Sequence, residues 1–347
     1  MTANKLRHII GVFSTVIVVA ISAVGIIGSV AEQTPWQFVE RKFLHAFLST
    51  GDVEVQAKQA SENNQTVSTE LAPAAYSKKD ETFSPAPPIR GGDIQTITTM
   101  GPDQVERKYI VHVGQDYNAE APTPAPIMFS FHGWNQPAEH YVGFSKFETT
   151  PAWQQAILIY PEGLDGAWES APYATGRPGK DLEFVQQIIE EIDKDYLIDR
   201  QRIYATGFSN GGGMATVLAC HMPDTFAAIV SIAGAYYQPV NFGCQSKPIP
   251  SLVIHAVNDE IVRYEGGPRN GGQLIPAYEV SKQYALRNGC AMTPPVEVGL
   301  PNGQRLDFER CSAPTQHLKI LEGGHIWPEE PDIAAEIWNF LTAQARA

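Results

Sequence analysis

Cysteine is scarce in this chain. Its 347 residues hold four, Cys220, Cys244, Cys290 and Cys311, and no two stand in a C-x-x-C pattern. That speaks against zinc-binding and thioredoxin-like readings. Positive charge is also short, with Lys+Arg 25 against Asp+Glu 38 and a net charge of −13. A basic nucleic-acid footprint is missing, so neither DNA nor RNA is expected as a partner. The acidity favours solubility and weakens attraction to anionic lipid or polyanionic substrates. No block of five or six like charges stands out and no internal repeat is visible.

Against these absences, one long apolar run is present. Residues Ile9 to Val30 are uncharged and follow Lys5, Arg7 and His8. Such a length spans a bilayer as a helix, and the flanking cations favour a cytoplasmic N-terminus. Ser29-Val30-Ala31 equally offers small residues at a signal-peptide cleavage site. Residues 1–31 are therefore a signal anchor or a signal peptide, and both readings send the rest out of the cytoplasm. Membrane contact is expected only if this segment stays uncleaved. In an exported domain four cysteines imply two disulfides, and three pairings exist. The sequential pairing Cys220–Cys244 and Cys290–Cys311 is favoured because each bond closes a short loop, contributing about 3 kcal/mol in the chain-entropy model.

The length exceeds one ordinary domain. Residues 32–90 form a membrane-proximal segment and flexible linker. Trp36 to Leu48 has helical spacing of apolar residues, and the stretch from Gly51 to Arg90 is polar and ends in Ser84-Pro-Ala-Pro-Pro88. From Gly91 to residue 347 the pattern is that of a catalytic domain. Glu106–Val113 reads as an early edge strand. Pro126–Phe131 and Ala156–Tyr160 are short continuous apolar runs, as strands buried on both faces should be. Leu182, Val185, Ile188, Ile189, Ile192 and Tyr196 recur at helical spacing, with Asp181 as N-cap. Strands at 202–206, 227–232, 251–255 and 318–321 alternate with helices at 214–219, 277–287 and 333–341. This alternation predicts a mainly parallel, doubly wound α/β sheet.

Gly207-Phe-Ser-Asn-Gly-Gly212 follows the strand-like run Arg202–Thr206 and precedes a helix-forming run. In that context G-x-S-x-G is a nucleophile elbow, with Ser209 on a strained turn. Gly207 and Gly211 lack side chains because backbone approaches too closely for a Cβ. A serine hydroxyl needs a base, and the base needs an orienting group. Asp259 lies just past strand 251–255, with Glu260 as its rival, and His325 sits on a loop between two glycines and Pro328. His221, His255 and His317 fall on strand or helix surfaces and read as structural. The oxyanion donors are expected to be the backbone N–H of Asn210 and of Trp134, the latter in the loop after strand 126–131. Trp168 is a candidate to stack on an aromatic acyl group.

His132-Gly133, Tyr160-Pro-Glu-Gly163, Trp168, Gly207-Phe-Ser-Asn-Gly-Gly212, Asn258-Asp259 with Tyr264-Glu-Gly-Gly267, Asn288-Gly-Cys290 and Gly323-Gly-His-Ile-Trp-Pro328 occur in that order. The set resembles the exported esterases grouped as poly(3-hydroxybutyrate) depolymerases and feruloyl esterases, over about residues 91–345. The resemblance implies an α/β-hydrolase fold and serine-dependent carboxylic ester hydrolysis through an acyl-enzyme. It gives Ser209, Asp259 and His325 as the triad and supports the Cys290–Cys311 bridge; His132 stands beside Trp168 as a substrate-binding candidate. It calls for no metal and no organic cofactor. The chain departs from the group at Trp134 and Asn135, where Cys or small residues are usual. The lack of a polymer-binding module points to small or oligomeric esters. Alternatives are a serine peptidase on the same fold and a non-catalytic, hydrolase-like surface binding protein.

Overall fold

A computed structural model describes residues 90–346, except residue 241. The expectations for residues 1–31 and 32–89 lie outside the described residues.

The described chain begins with an antiparallel pair, β1 (Ile94–Met100) and β2 (Glu106–Val113), and continues into β3 (Ala125–Phe131). Two short helices follow, α1 (Ala138–Phe144) and α2 (Ala152–Gln155), then β4 (Ile157–Pro161). Next come α3 (Lys180–Asp195), β5 (Ile198–Phe208), α4 (Asn210–His221), β6 (Ala228–Ile232) and β7 (Ser251–Ala256). A small hairpin, β8 (Gly267–Arg269) and β9 (Gly272–Leu274), precedes α5 (Ala277–Arg287). The chain closes with β10 (Val296–Leu300), β11 (Gly303–Asp307), β12 (Thr315–Ile320) and α6 (Ile333–Thr342).

Ten strands form one sheet in the order β1-β2-β4-β3-β5-β6-β7-β12-β11-β10. The centre, from β4 to β12, is parallel, and each edge is an antiparallel addition. Successive side chains of a strand point to opposite faces, and the core divides accordingly. Ile127, Phe129 and Phe131 of β3 pack with α3, α4 and α5, through Phe184, Ile188, Leu218 and Val280. Met128 of β3 and Leu158 of β4 pack on the other face with α1, α2 and α6, through Tyr141, Ile337 and Trp338. Helices on both faces explain why every residue of β3, β4, β6 and β7 is buried and why these strands read as unbroken apolar runs. This is the doubly wound α/β architecture.

Two local expectations are corrected. Strand β2 is not at the edge, because β1 pairs with it along its length. Asp181 does not cap α3. Gly179 occupies the N-cap with φ 83°, which suits glycine, and Asp181 lies inside the first turn. There its carboxylate is buried 2.8 Å from the Arg107 guanidinium, which also sits over the Phe184 ring. Removing one partner of such a buried pair costs about 3–5 kcal/mol, since the other charge is left uncompensated.

Both disulfides are present as Cys220–Cys244 and Cys290–Cys311. The first ties the end of α4 to the loop before β7, and the second ties the residues after α5 to the approach to β12. Among the described residues no cysteine is free and no helix is long and apolar enough to cross a membrane. Two disulfides fit an oxidising compartment.

Candidate active site

The parallel strands end together, and their C-terminal ends carry the site. Strand β5 runs straight into α4 with Ser209 between them at φ 58° and ψ −117°. A serine tolerates that strain only where the surroundings over-determine it. Here Ser209 N donates to Ile232 O at 2.9 Å, and Ser209 O accepts from Ala235 N and Gly213 N. Glycines make the turn physically feasible. A Cβ on Gly211 would lie 2.0 Å from Phe131 O, and one on Gly207 would lie 2.3 Å from Gly211 O. The helix is packed so close to β3 and β5 that only hydrogen fits.

Asp259 and His325 come from loops after β7 and β12, which are parallel neighbours. His325 Nδ1–H donates to Asp259 Oδ2 at 2.7 Å, and Ser209 Oγ–H donates to His325 Nε2 at 2.9 Å. With Nδ1 committed as a donor, Nε2 is left as the acceptor, the tautomer needed to take a hydroxyl proton. The Asp259 carboxylate is fully enclosed. Burial opposes its charge, but hydrogen bonds from His255 and His325 outweigh that and hold the carboxyl well below the usual range. Its second oxygen accepts from Ile261 N at 2.9 Å and Val262 N at 2.7 Å. Glu260, the rival acid, is exposed on this loop.

Asn258 is a contributor that reasoning from residue types alone passed over. Its Oδ1 accepts from Gly323 N at 3.2 Å and Gly324 N at 2.9 Å, so it joins the acid loop to the turn just before His325. Its place beside Asp259 was the available signal. Asn210 contributes likewise through its side chain. Oδ1 accepts from Trp168 N at 2.8 Å, while Nδ2 donates to Ser170 Oγ at 2.9 Å, fixing the first residue of α4.

The aromatic residues fall differently from expectation. Trp168 is fully buried, with its indole edge-on to Phe131 and its Nε1–H donating to His132 O at 3.0 Å. It has no face open to a substrate and serves the packing under the loop after β3. His132 is also fully buried. Its Nδ1–H donates to Gly133 O and its Nε2 accepts from Gly163 N, so both nitrogens are used within the fold. Burial lowers its pKa to about 4, keeping it neutral. Neither residue is exposed. Trp134 does face outward, 52 % exposed, with its ring 4.5 Å from that of Tyr173. His221 ends α4, and His317 is buried in β12 between Tyr264 Oη and Ser281 Oγ. His255 is buried too, and lies against Asp259.

The chain is similar to known carboxylic ester hydrolases. The family model for Phospholipase/Carboxylesterase matches residues 178–282, which include Ser209 and Asp259. Feruloyl esterase C of Emericella nidulans is 27% identical over 242 residues, covering 67% of this chain and 81% of that protein. Probable feruloyl esterase C of Aspergillus niger is 28% identical over 226 residues, covering 63% of this chain and 76% of its own. Among solved structures, an acetyl xylan esterase from Aspergillus awamori superposes with a TM-score of 0.55 at 20% identity, over 72% of this chain and all of that one. The fold is that of the α/β-hydrolases. More particularly, this chain is a feruloyl esterase-like α/β-hydrolase and a carboxylic ester hydrolase.

Proposed function

We propose that Ser209, His325 and Asp259 form the catalytic triad and that hydrolysis proceeds through an acyl-enzyme. The observation that carries this is the unbroken pair of hydrogen bonds from Ser209 Oγ through His325 to Asp259. As Ser209 Oγ bonds to the ester carbonyl carbon, its proton passes to His325 Nε2. The carbonyl π pair becomes the oxyanion. Collapse breaks the bond to the alcohol oxygen, which leaves with the proton from His325. Water then repeats the sequence on the acyl-serine, releasing the acid. Asp259 stays ionised throughout and stabilises the imidazolium.

The oxyanion is assigned to the backbone N–H groups of Asn210 and Trp134. Asn210 opens α4, where an N–H has no partner one turn earlier in the helix. In the loop after β3, Gly133 N already donates to Gln136 Oε1 and Asn135 N to Gly166 O. Trp134 N–H lies between these two engaged groups, beside a glycine whose Cβ would be 3.5 Å from Ser209 Cβ. One such donor contributes about 3 kcal/mol to transition-state stabilisation.

The substrates are small or oligomeric carboxylic esters, of feruloyl or hydroxybutyrate-oligomer type. Similarity to feruloyl esterases supports this reading, as does the exposed Trp134 ring packed on Tyr173, one residue after the glycine that faces Ser209 Cβ. An exported location follows from the apolar run at residues 9–30 together with the two disulfides. Ser209→Ala is expected to abolish p-nitrophenyl acetate turnover while the protein stays folded. Undiminished turnover by that variant would overturn the assignment. Parallel assays with feruloyl, hydroxybutyrate-oligomer and acetyl esters rank the acyl groups.

A further inference from the structure

The catalytic carboxylate is touched by two histidines. His325 is the first. The second is His255, on β7, four residues before Asp259 and only 2 % exposed. Its Nε2 is 2.7 Å from Val262 O and 3.3 Å from Asp259 Oδ2. Both are acceptors, so Nε2 carries the proton. The shorter contact makes Val262 O the main acceptor, with the positive end of the N–H lying against the carboxylate as well.

Both contacts bear on the acid loop. Val262 is the residue whose own N–H donates to Asp259 Oδ1 at 2.7 Å. By holding the carbonyl of Val262, His255 anchors the residue that supplies this donor, one peptide unit further on. Its Nε2–H also lies near Oδ2, the oxygen that accepts from His325. The ring is buried between two tyrosines. Tyr264 stands edge-on at 5.8 Å and Tyr236 packs at 6.4 Å, while Tyr264 Oη is held in turn by His317 Nε2 at 2.8 Å.

The opposite nitrogen adds a second, independent observation. His255 Nδ1 is buried and has no hydrogen-bond partner among the described residues. An unpaired buried acceptor is costly, and an apolar side chain of similar size would remove that cost. A histidine with one idle nitrogen is therefore explained by what the other nitrogen does.

We infer that His255 is a positioning residue, which braces the Asp259 carboxylate through Val262 so that it meets His325 Nδ1 in the productive orientation. The inference rests on the triad reading above. Displacement of a catalytic group by about 1 Å typically lowers rate about a hundredfold, so a modest shift of the acid loop would be measurable.

The test compares three substitutions in the otherwise complete enzyme, with p-nitrophenyl acetate as substrate. His255→Phe fills the space without an N–H. His255→Gln sets an amide N–H near the place of Nε2, and His255→Asn sets one near Nδ1. The expected result is a fall in kcat of between about ten- and a hundredfold for His255→Phe, with KM within about twofold. His255→Gln should recover most of that loss and His255→Asn little of it. Should His255→Phe fail to fold, the Gln and Asn variants carry the comparison, both normalised to folded protein by circular dichroism. Equal activity of the Gln and Asn variants, or a wild-type kcat in His255→Phe, would overturn the inference. Ser209→Ala serves as the control. Turnover by that variant would overturn the triad reading instead, whatever the His255 series shows.

Discussion

Ser209 and its two hydrogen-bonded partners, His325 and Asp259, are held in place by different physics. Ser209 is positioned by backbone packing, with β3, β5 and α4 pressed together until neighbouring main-chain atoms leave no room for a Cβ at Gly207 or Gly211. Asp259 and His325 lie on loops, and what holds them is a set of side-chain hydrogen bonds. Asn258 reaches across to Gly323 and Gly324, and the Asp259 carboxylate gathers the N–H groups of Ile261 and Val262. One half of the site is part of the folding core. The other half is assembled on top of it. Substitutions of the elbow glycines should thus act through folding, and substitutions at the loops through catalysis.

The largest effect is expected at Gly211. A methyl group there would meet Phe131 O and His132 O, main-chain atoms of a central strand and its loop that cannot retreat. Gly211→Ala should lose more than about 4 kcal/mol of stability, or fail to give soluble protein, as followed by denaturant unfolding. Normal stability would break the comparison on the elbow side. Asp259→Asn comes next. Its amide can leave His325 in the wrong tautomer, and kcat should fall by about ten-thousandfold. Steady-state kinetics beside a thermal melt would show whether activity falls far more than folded fraction, as the loop side requires.

A smaller catalytic effect is expected from Asn258→Ala. Its side chain is exposed, so stability should change by no more than about 0.5 kcal/mol. Loss of the ties to Gly323 and Gly324 should lower kcat between about ten- and a hundredfold. An unchanged kcat would show that the two loops hold their spacing without that bridge.

The last effect is read in pH rather than rate, at a carboxyl packed against Asp181 at the start of α3. Glu169 is raised well above the ordinary carboxylate range, first by burial and then by repulsion from Asp181. The folded state therefore keeps a proton on Glu169 that the unfolded chain has already lost. Stability from this group is fully present below about pH 4.3, where an unfolded glutamate titrates, and declines as pH climbs until Glu169 ionises in the fold. Thermal midpoints should fall with rising pH in the wild type and do so less steeply in Glu169→Gln. Parallel slopes would remove Glu169 as the cause.

What the sequence revealed in advance follows the same division. Strands β3, β4, β6 and β7 are covered on both faces and so appear as unbroken apolar runs, and α5 emerges at Ala277–Arg287 because its spacing is local. The elbow could be read for the same reason, since its glycines and serine are contiguous. Strand β1 was missed because one face is exposed and its Ile-Gln-Thr-Ile-Thr-Thr-Met sequence buries no side chain fully. The antiparallel additions β10 and β11 were missed because their side chains are largely exposed or half-buried and depend on pairing across the sheet edge. Trp168 and His132 could not be placed from their types alone. Their burial depends on Asn210, Gly163 and Phe131, residues that meet them only in the folded chain. His255 looked like a strand residue because nothing local shows that a side chain four positions before Asp259 turns back onto it.

The central claim is that one serine, activated by a histidine from the last loop, is acylated. The most direct measurement is reaction of the full chain with a fluorophosphonate, followed by mass mapping of the modified peptide. A single adduct on Ser209, abolished in His325→Ala, is the predicted result. A stoichiometric adduct on any other serine, or efficient labelling of Ser209 without His325, would contradict it.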